Sequence, residues 1–519
     1  MWKKLLIFMM SIAMLICCTG CNKAKISFKN NDAQSSTVEL SVFSYKPDTL
    51  FPIASDNEAN IQMLSIVYEG LVELSDELVP IPILAESWSA SNNALEWNIN
   101  LKKNVSWHVN TSKFSPEDVV YTVNKIKELE KSPFKYNVSN VKEVQVTGKN
   151  QVKFILAKPN ANFVNLLYFP IVKKENNEID FANFKPNGTG AYKFEDRSEG
   201  NVYYLVQNSN WWGGKVNAET IKVKIMPSNE TALYAFGSGS LDFVPAENMD
   251  WGKYVDPASS AYTKIKTPIY NFLGINHNNK VLANDELRRA ISLALDRDEI
   301  CEEARMGYAQ PANSPVRAEW SICENQKFEH KQNTVDAKKI LEESGWTFKN
   351  NTFQKNSEGV TYSARFSILI NEENTTRENI ARIIVKNLEE FGVHADVARV
   401  SYDEYQKRIA EGNYDAFIGS MALSPNLDFS EIFGDGNVFS FEDEELKFVM
   451  SSMQAKTDFA EIKAGYAEFI NLFEQLNPVL GLFFEDSVML YSKEIKDEIK
   501  PCYFDLYSGI GSIRKGETE

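Results

Sequence analysis

Apolar and polar side chains alternate strictly in several short stretches of the chain. Leu95, Trp97, Ile99 and Leu101 are apolar, with Glu96, Asn98 and Asn100 between them. That period of two predicts a half-buried strand. The same pattern recurs at Ile221, Val223 and Ile225, and at Phe366, Ile368 and Ile370. Elsewhere the period lengthens to that of a helix. Ser115-Pro116-Glu117-Asp118 supplies an N-cap, a proline at the first helical position and acids in the first turn, ahead of Val119, Val120, Val123 and Ile126. Asp285 opens another helix, with Leu287, Ala290, Ile291, Ala294 and Leu295 on one stripe. Thr375 with Glu378 forms a capping pattern before Ile380, Ile383, Ile384, Leu388 and Phe391, and Gly392 is the expected stop. Ser401 with Glu404 repeats that pattern before a short helix ending near Gly412. Strands and helices interleave along the chain, which predicts an α/β body of several lobes. No short fixed repeat occurs, which argues against a solenoid.

The 519 residues suggest two to four domains, at a prior of ~150 residues per domain. With 43% hydrophobic and 24% charged residues the chain can bury large cores, so it is not disordered as a whole. Fifty-five Lys and Arg against 71 Asp and Glu leave a net charge of −16. Such a surface repels phosphate backbones, so no nucleic-acid partner is expected. Four histidines leave little room for a His-rich metal centre.

The chain begins with a positive segment at Lys3 and Lys4 and an apolar run from Leu5 to Ile16. The run is short for a membrane span, which takes ~20 residues, and reads as a secretory leader. Cys18-Thr19-Gly20-Cys21 resembles the lipobox of bacterial lipoproteins, although Cys18 stands where leucine is usual. The resemblance implies removal of residues 1–20 and lipidation of Cys21. Residues 21–37 are polar and read as a flexible tether with a reach of roughly 20–24 Å. Cys301, Cys323 and Cys502 are odd in number and read as buried free thiols.

Motifs for catalysis are scarce. The histidines, at 108, 277, 330 and 394, form no H-E-x-x-H. There is no G-x-S-x-G elbow, no Walker A sequence and no dinucleotide G-x-G-x-x-G. Gly237-Ser238-Gly239-Ser240 reads as a turn, and Glu302-Glu303 and Glu389-Glu390 as solvated helix faces. The chain is read as a binding protein and not an enzyme, with no cofactor.

Several segments, in order, are similar to the bacterial extracytoplasmic solute-binding proteins of family 5, the oligopeptide, dipeptide and nickel receptors of ABC importers. Tyr68-Glu69-Gly70-Leu71-Val72 precedes Leu84-Ala85-Glu86-Ser87-Trp88. Leu101 to His108, Phe114 to Tyr121, Gly188-Thr189-Gly190-Ala191-Tyr192, Asn208 to Gly213, Arg288 to Arg297, Ala337 to Trp346 and Gly412 to Asp415 follow. The resemblance runs from about residue 40 to residue 500. Each motif also reads as framework: Trp107 and His108, tempting as a metal site, read as structural.

The resemblance implies an α/β, two-lobed, hinged periplasmic-binding-protein-like fold of type II, in its three-domain variant, with mixed sheets. Domain I would comprise residues 38–60, 180–270 and 485–519, domain II 61–179 and domain III 271–484. Ligand would lie between lobes and be buried by hinge closure. The implied partners are an oligopeptide or other small polar solute, the permease subunits of an ABC importer, and the membrane through the lipid on Cys21. The protein would be a monomer on the extracytoplasmic face of the plasma membrane. The resemblance places Ile53, Ala54, Ser55 and Asn57 in the segment that pairs with peptide. Tyr402 falls at an aromatic clamp, and Gly419, Ser420, Met421, Ser424 and Asp428 fall in the ligand loop. The family's tryptophan position falls on Met421 and its amino-anchoring aspartate near Leu423 or Ser424, with Asp428 as the candidate replacement. A nickel chelate, a sugar, an opine-like solute, or a peptide-sensing role without import are the alternatives.

Overall fold

A computed structural model of the chain describes residues 38–198, 200–247, 249–324, 326–328 and 330–516. The leader, Cys21 and the tether at 21–37 lie outside the described residues. Most of the predicted elements form where the pattern places them. Leu95–Leu101 is the strand Glu96–Leu101, and the other two alternating runs are the strands Thr220–Ile225 and Arg365–Asn371. Ser115 and Asp118 build a reciprocal capping box on the helix Pro116–Glu128. Gly392 ends the helix Thr375–Phe391 with a left-handed backbone, φ 102°. The cap of that helix differs from the expectation by one residue. Asn374 accepts from the Arg377 amide, and Thr375 is the first helical residue, because an amide oxygen caps as well as a hydroxyl.

Two sheets matter for function. One has four strands in the order Glu39–Ser44, Thr220–Ile225, Val202–Gln207 and Tyr192–Ser198, its first pair parallel. The other runs in the order Phe243–Ala246, Val479–Ser492, Ser260–Ile275, Ala416–Ala422, Arg365–Asn371 and His394–Val400, with Ala309–Pro311 added on Val479–Ser492. In this sheet Arg365–Asn371 lies parallel to both His394–Val400 and Ala416–Ala422. A separate four-stranded sheet carries Glu96–Leu101.

The strands Ser260–Ile275 and Val479–Ser492 tie the body together. Ile265 and Met489 belong to the core under residues 40–172, whereas Val488 and Leu490 belong to a small core with Phe236 and Val244. Further along the same strands, Tyr270 and Phe484 enter the aromatic core of residues 405–473, and Leu273, Ile275, Leu480 and Leu482 enter the core under Ile368 and Ile384. One antiparallel ladder thus feeds four cores. Its register shifts between Lys266 and Tyr270, and such a break lets a strand pair bend. The expected boundaries at 270 and 484 fall beside this shift.

Candidate functional site

Glu69 organises the frame. Its carboxylate accepts from the Thr189 hydroxyl at 2.7 Å, the Trp211 indole at 2.9 Å and the Trp212 indole at 3.0 Å. The Lys102 ammonium lies 3.6 Å from the Trp212 ring centre. Burial raises the Glu69 pKa in spite of these donors. Gly188 and Gly190 make the approach possible: a Cβ would stand 2.0 Å and 2.8 Å, respectively, from the Val67 carbonyl oxygen. His108 Nε2 contacts the Gly190 carbonyl at 2.9 Å, and burial pushes its pKa down to about 4. A buried neutral imidazole held in this way is framework, as the sequence suggested.

None of these residues lines the cavity of about 450 Å³ that opens elsewhere in the body. Its wall includes Phe43, Tyr45, Asn57 and Glu58 on one side, Pro245 to Glu247 on another, and Thr267, Ile269, Glu485 and Asp486 from the two long strands. Arg305 closes it from the helix Arg297–Arg305. A second cavity of about 280 Å³ shares Glu58, Gln62 and Tyr503 with the first and adds Phe134, Tyr168 and Phe504. The parallel strand Glu39–Ser44 delivers Tyr45 to the first cavity, whose other strands form an antiparallel ladder. In α/β sheets a crevice opens beyond the carboxyl ends of parallel strands, where the chain leaves for a helix or loop. Tyr45 follows one such end, and Tyr402 and Leu423 follow two others in the larger sheet.

The charges in the cavity differ in their partners. Glu485 pairs with Arg305 at 2.9 Å and accepts from Asn271 at 3.0 Å. Asp486 pairs with the buried Arg317. Glu247 accepts from the Tyr45 hydroxyl. Glu58 has no hydrogen-bond partner among the described residues. Desolvation against the cavity wall, then the Glu247 charge, raises its pKa. The end of the cavity at Glu58 and Glu247 therefore brings two carboxylates together, neither of them in an ion pair among the described residues.

The residues expected to meet ligand are distributed as follows. Ile53 is wholly buried in the core. Ala54 is half-buried in the turn that follows Phe51. Ser55 is buried and donates to Asp48 at 2.6 Å. Asn57 caps the helix Glu58–Ser65 and lines the cavity. Tyr402 is 52% exposed and stacks on Tyr405 at 6.5 Å. On the strand Ala416–Ala422, Ala422 stands opposite Ile269 and Ser420 opposite Asn271. Opposed residues share a face of the sheet, so Ser420 faces the side of Ile269, a cavity residue. Gly419 and Met421 face the other way. There Met421 packs on the aromatic core, and a Cβ on Gly419 would come within 2.7 Å of the Phe417 ring. Ser424 is half-buried, with Tyr136 beside it. Asp428 accepts from the Ser430 amide at 3.0 Å, as a short local cap.

Sequence reasoning passed over Tyr45, Glu58, Glu247, Arg305, Glu485 and Asp486. One signal was present: Glu485-Asp486 interrupts the apolar run from Val479 to Leu490. Two adjacent acids inside a buried strand need partners, and such positions mark clefts.

The mixed sheets and helices form the α/β fold of two-lobed periplasmic binding proteins, and comparison with known proteins supplies the family. Residues 79–435 match the family described as "Bacterial extracellular solute-binding proteins, family 5 Middle". The chain belongs to that family. It is 24% identical to the oligopeptide-binding protein AppA of Bacillus subtilis (strain 168), over 98% of each chain. The solved structure of AppA from Bacillus subtilis in complex with a nonapeptide covers 92% of this chain and 99% of its own, with 20% identity and a TM-score of 0.61. NikZ from Campylobacter jejuni in complex with Ni(L-His) gives 21% identity and a TM-score of 0.65, over 92% of this chain and 99% of its own.

Proposed function

We propose that the protein is the extracytoplasmic receptor of an ABC importer, and that it captures oligopeptides in the cavity between Asn57–Glu58 and the strand residues Thr267, Ile269 and Glu485. The supporting observation is the cavity itself. Polar side chains, among them Asn57, Glu58 and Ser487, share its wall with Phe43, Ile269 and Tyr503. A family member that holds an extended peptide draws affinity from backbone hydrogen bonds and tolerates many side chains. The unpaired Glu58 beside Glu247 favours a cationic group of the ligand, its amino terminus or a basic side chain. Asp428, the candidate that the resemblance offered for that role, caps the Ser430 amide. Ser420 and Tyr402 complete the opposite wall when the lobes close.

In this reading Cys21 carries the lipid and the monomeric receptor stays near its permease, where tethering raises its effective concentration. Among the described residues no helix is long and apolar enough to cross a membrane. The protein binds and releases its ligand and performs no chemistry on it. For the nickel alternative, His108 and His277 are each engaged with a backbone carbonyl at 2.9 Å, and none of the four histidines lines the cavity, so peptide is the favoured cargo.

The test is native mass spectrometry of the full chain in detergent, purified from rich medium, followed by denaturing release of what it carries. A ladder of peptides is the expected result. A non-peptide solute, or an empty protein that stays empty when offered a peptide digest, overturns the assignment.

A further inference from the structure

Away from the cavity, residues 160–165 meet the loop 425–427 at a buried seam. The two segments belong to parts of the chain expected to move apart, 61–179 and 271–484. Asn162 Nδ2 donates to the Asn426 carbonyl at 3.2 Å and to the Tyr466 hydroxyl at 3.0 Å. Asn165 Nδ2 donates to the Leu78 carbonyl on its own side at 3.1 Å and to the Pro425 carbonyl across the seam at 3.0 Å. The Ala161 amide donates to Gln454 Oε1 at 3.3 Å. Gln454 Nε2 and the Tyr466 hydroxyl both donate to the Leu427 carbonyl, at 3.1 and 2.9 Å. Three successive carbonyls of the loop are thus held by side-chain donors, two of them from the other side of the seam.

The chemistry suits a contact that is made and broken. Every group is neutral, so salt leaves it largely unaffected. When the seam parts, water replaces each partner, so an open seam leaves no orphaned amide. The loop also resists its seam conformation. Leu427 has φ 52°, a left-handed backbone that is unfavourable for a branched side chain. It is held there by the donors to its own carbonyl and to those of the two residues before it. This loop leads directly out of Ala416–Ala422, the strand that carries Ser420 on the cavity side.

We propose that Asn162 and Asn165 are positioning residues for ligand capture: by holding the carbonyls of Pro425 and Asn426 they make seam closure and the loop that follows the strand Ala416–Ala422 one two-state element, and so set how long ligand stays bound. The inference rests on the peptide-receptor reading above. An element that both ligand and lobe closure bias is the physical condition for coupling them. Each neutral hydrogen bond lost across the seam is expected to speed release three- to tenfold.

The probe is a nonapeptide with an amino-terminal lysine and a carboxyl-terminal fluorophore, bound to the full chain in detergent. Asn162→Ala should speed its release three- to tenfold and Asn162→Ala/Asn165→Ala ten- to a hundredfold, with association unchanged. Release at the wild-type rate in the double variant overturns the proposal. Hydrogen exchange gives an independent readout that does not need the variants. Amides of 160–166 and 424–428 should exchange together, faster without peptide than with it. Equal protection in both states means a static seam and overturns the proposal. If the probe does not bind at all, the peptide assignment fails, and the coupling is read in the ligand-free protein. Asn162→Ala should then raise exchange on both sides of the seam, and a rise confined to 160–166 overturns it.

Discussion

Glu69 and Glu58 lie close in the chain and do opposite work. Around Glu69 the motifs Tyr68-Glu69-Gly70, Gly188-Thr189-Gly190 and Trp211-Trp212-Gly213 converge, and three donors saturate the carboxylate. No space is left there for a ligand. Around Glu58 there is a cavity, a second carboxylate and no hydrogen-bond partner among the described residues. The segments that reveal the family build the frame, and the segments proposed to meet the ligand come from elsewhere. A frame must be rigid and fully satisfied, because an unpaired buried group costs stability. A capture site must keep some valence free.

The largest effect should come from emptying the frame. Glu69→Ala leaves two indoles and a hydroxyl without their acceptor and should cost about 3–5 kcal/mol. A denaturant midpoint at the wild-type value would break the comparison. The folded fraction should still bind peptide with unchanged affinity, since nothing around Glu69 touches the cavity.

Next is a pH effect at the edge of that frame. Burial, then the neighbouring Asp505, pushes the Glu73 pKa up to about 7 from 4.5. The folded state therefore holds a proton that the unfolded chain releases. This contribution to stability is full below about pH 4.5, falls as pH rises toward 7, and stays lost above it. Glu73→Gln should remove that slope and gain about 1–3 kcal/mol over wild type at pH 8, with little difference at pH 4. Denaturation measured at both pH values checks it, and equal gains at the two would refute the titration.

At the capture site, Glu58→Gln with Glu247→Gln should weaken binding of a lysine-bearing peptide about tenfold, or ~1.4 kcal/mol. Stability should hold or rise slightly, since two like charges are removed. Titration calorimetry against a neutral, amino-acetylated peptide sharpens the result: that ligand should lose far less. The smallest effect is expected at Tyr402. Because it is exposed, stacks on Tyr405 and accepts one exposed hydrogen bond from Gln406 at 2.9 Å, Tyr402→Ala should change stability by less than about 0.5 kcal/mol. Its affinity for peptide should fall about threefold if it walls the cleft, a difference that competition binding resolves.

Local chemistry made much of the fold legible. Ser115 caps and Gly392 stops where their residue types require, because capping depends on a few neighbouring atoms. Cys301, Cys323 and Cys502 are buried free thiols, as their number suggested. The site was less legible. Ser420 and Met421 are neighbours in sequence, yet the strand pleat turns one toward Asn271 and the other into the aromatic core. Asp428, read as a candidate anchor, also caps the Ser430 amide, a contact its sequence position did not announce. Glu247 and Arg305 carried no local sign of function, since only folding brings them to one cavity.

The sequence by itself determined the alternation of strands and helices, their caps and the motifs of the frame, because these rest on contacts within a few residues or on residue types that tolerate no substitute. The tertiary structure alone decided which carboxylates are saturated and which remain open. That depends on distant segments meeting: Glu69 with Trp211 and Trp212, Asp486 with Arg317, Glu58 with Glu247. Burial and charge at a cleft are properties of the assembled chain, and no local pattern fixes them in advance.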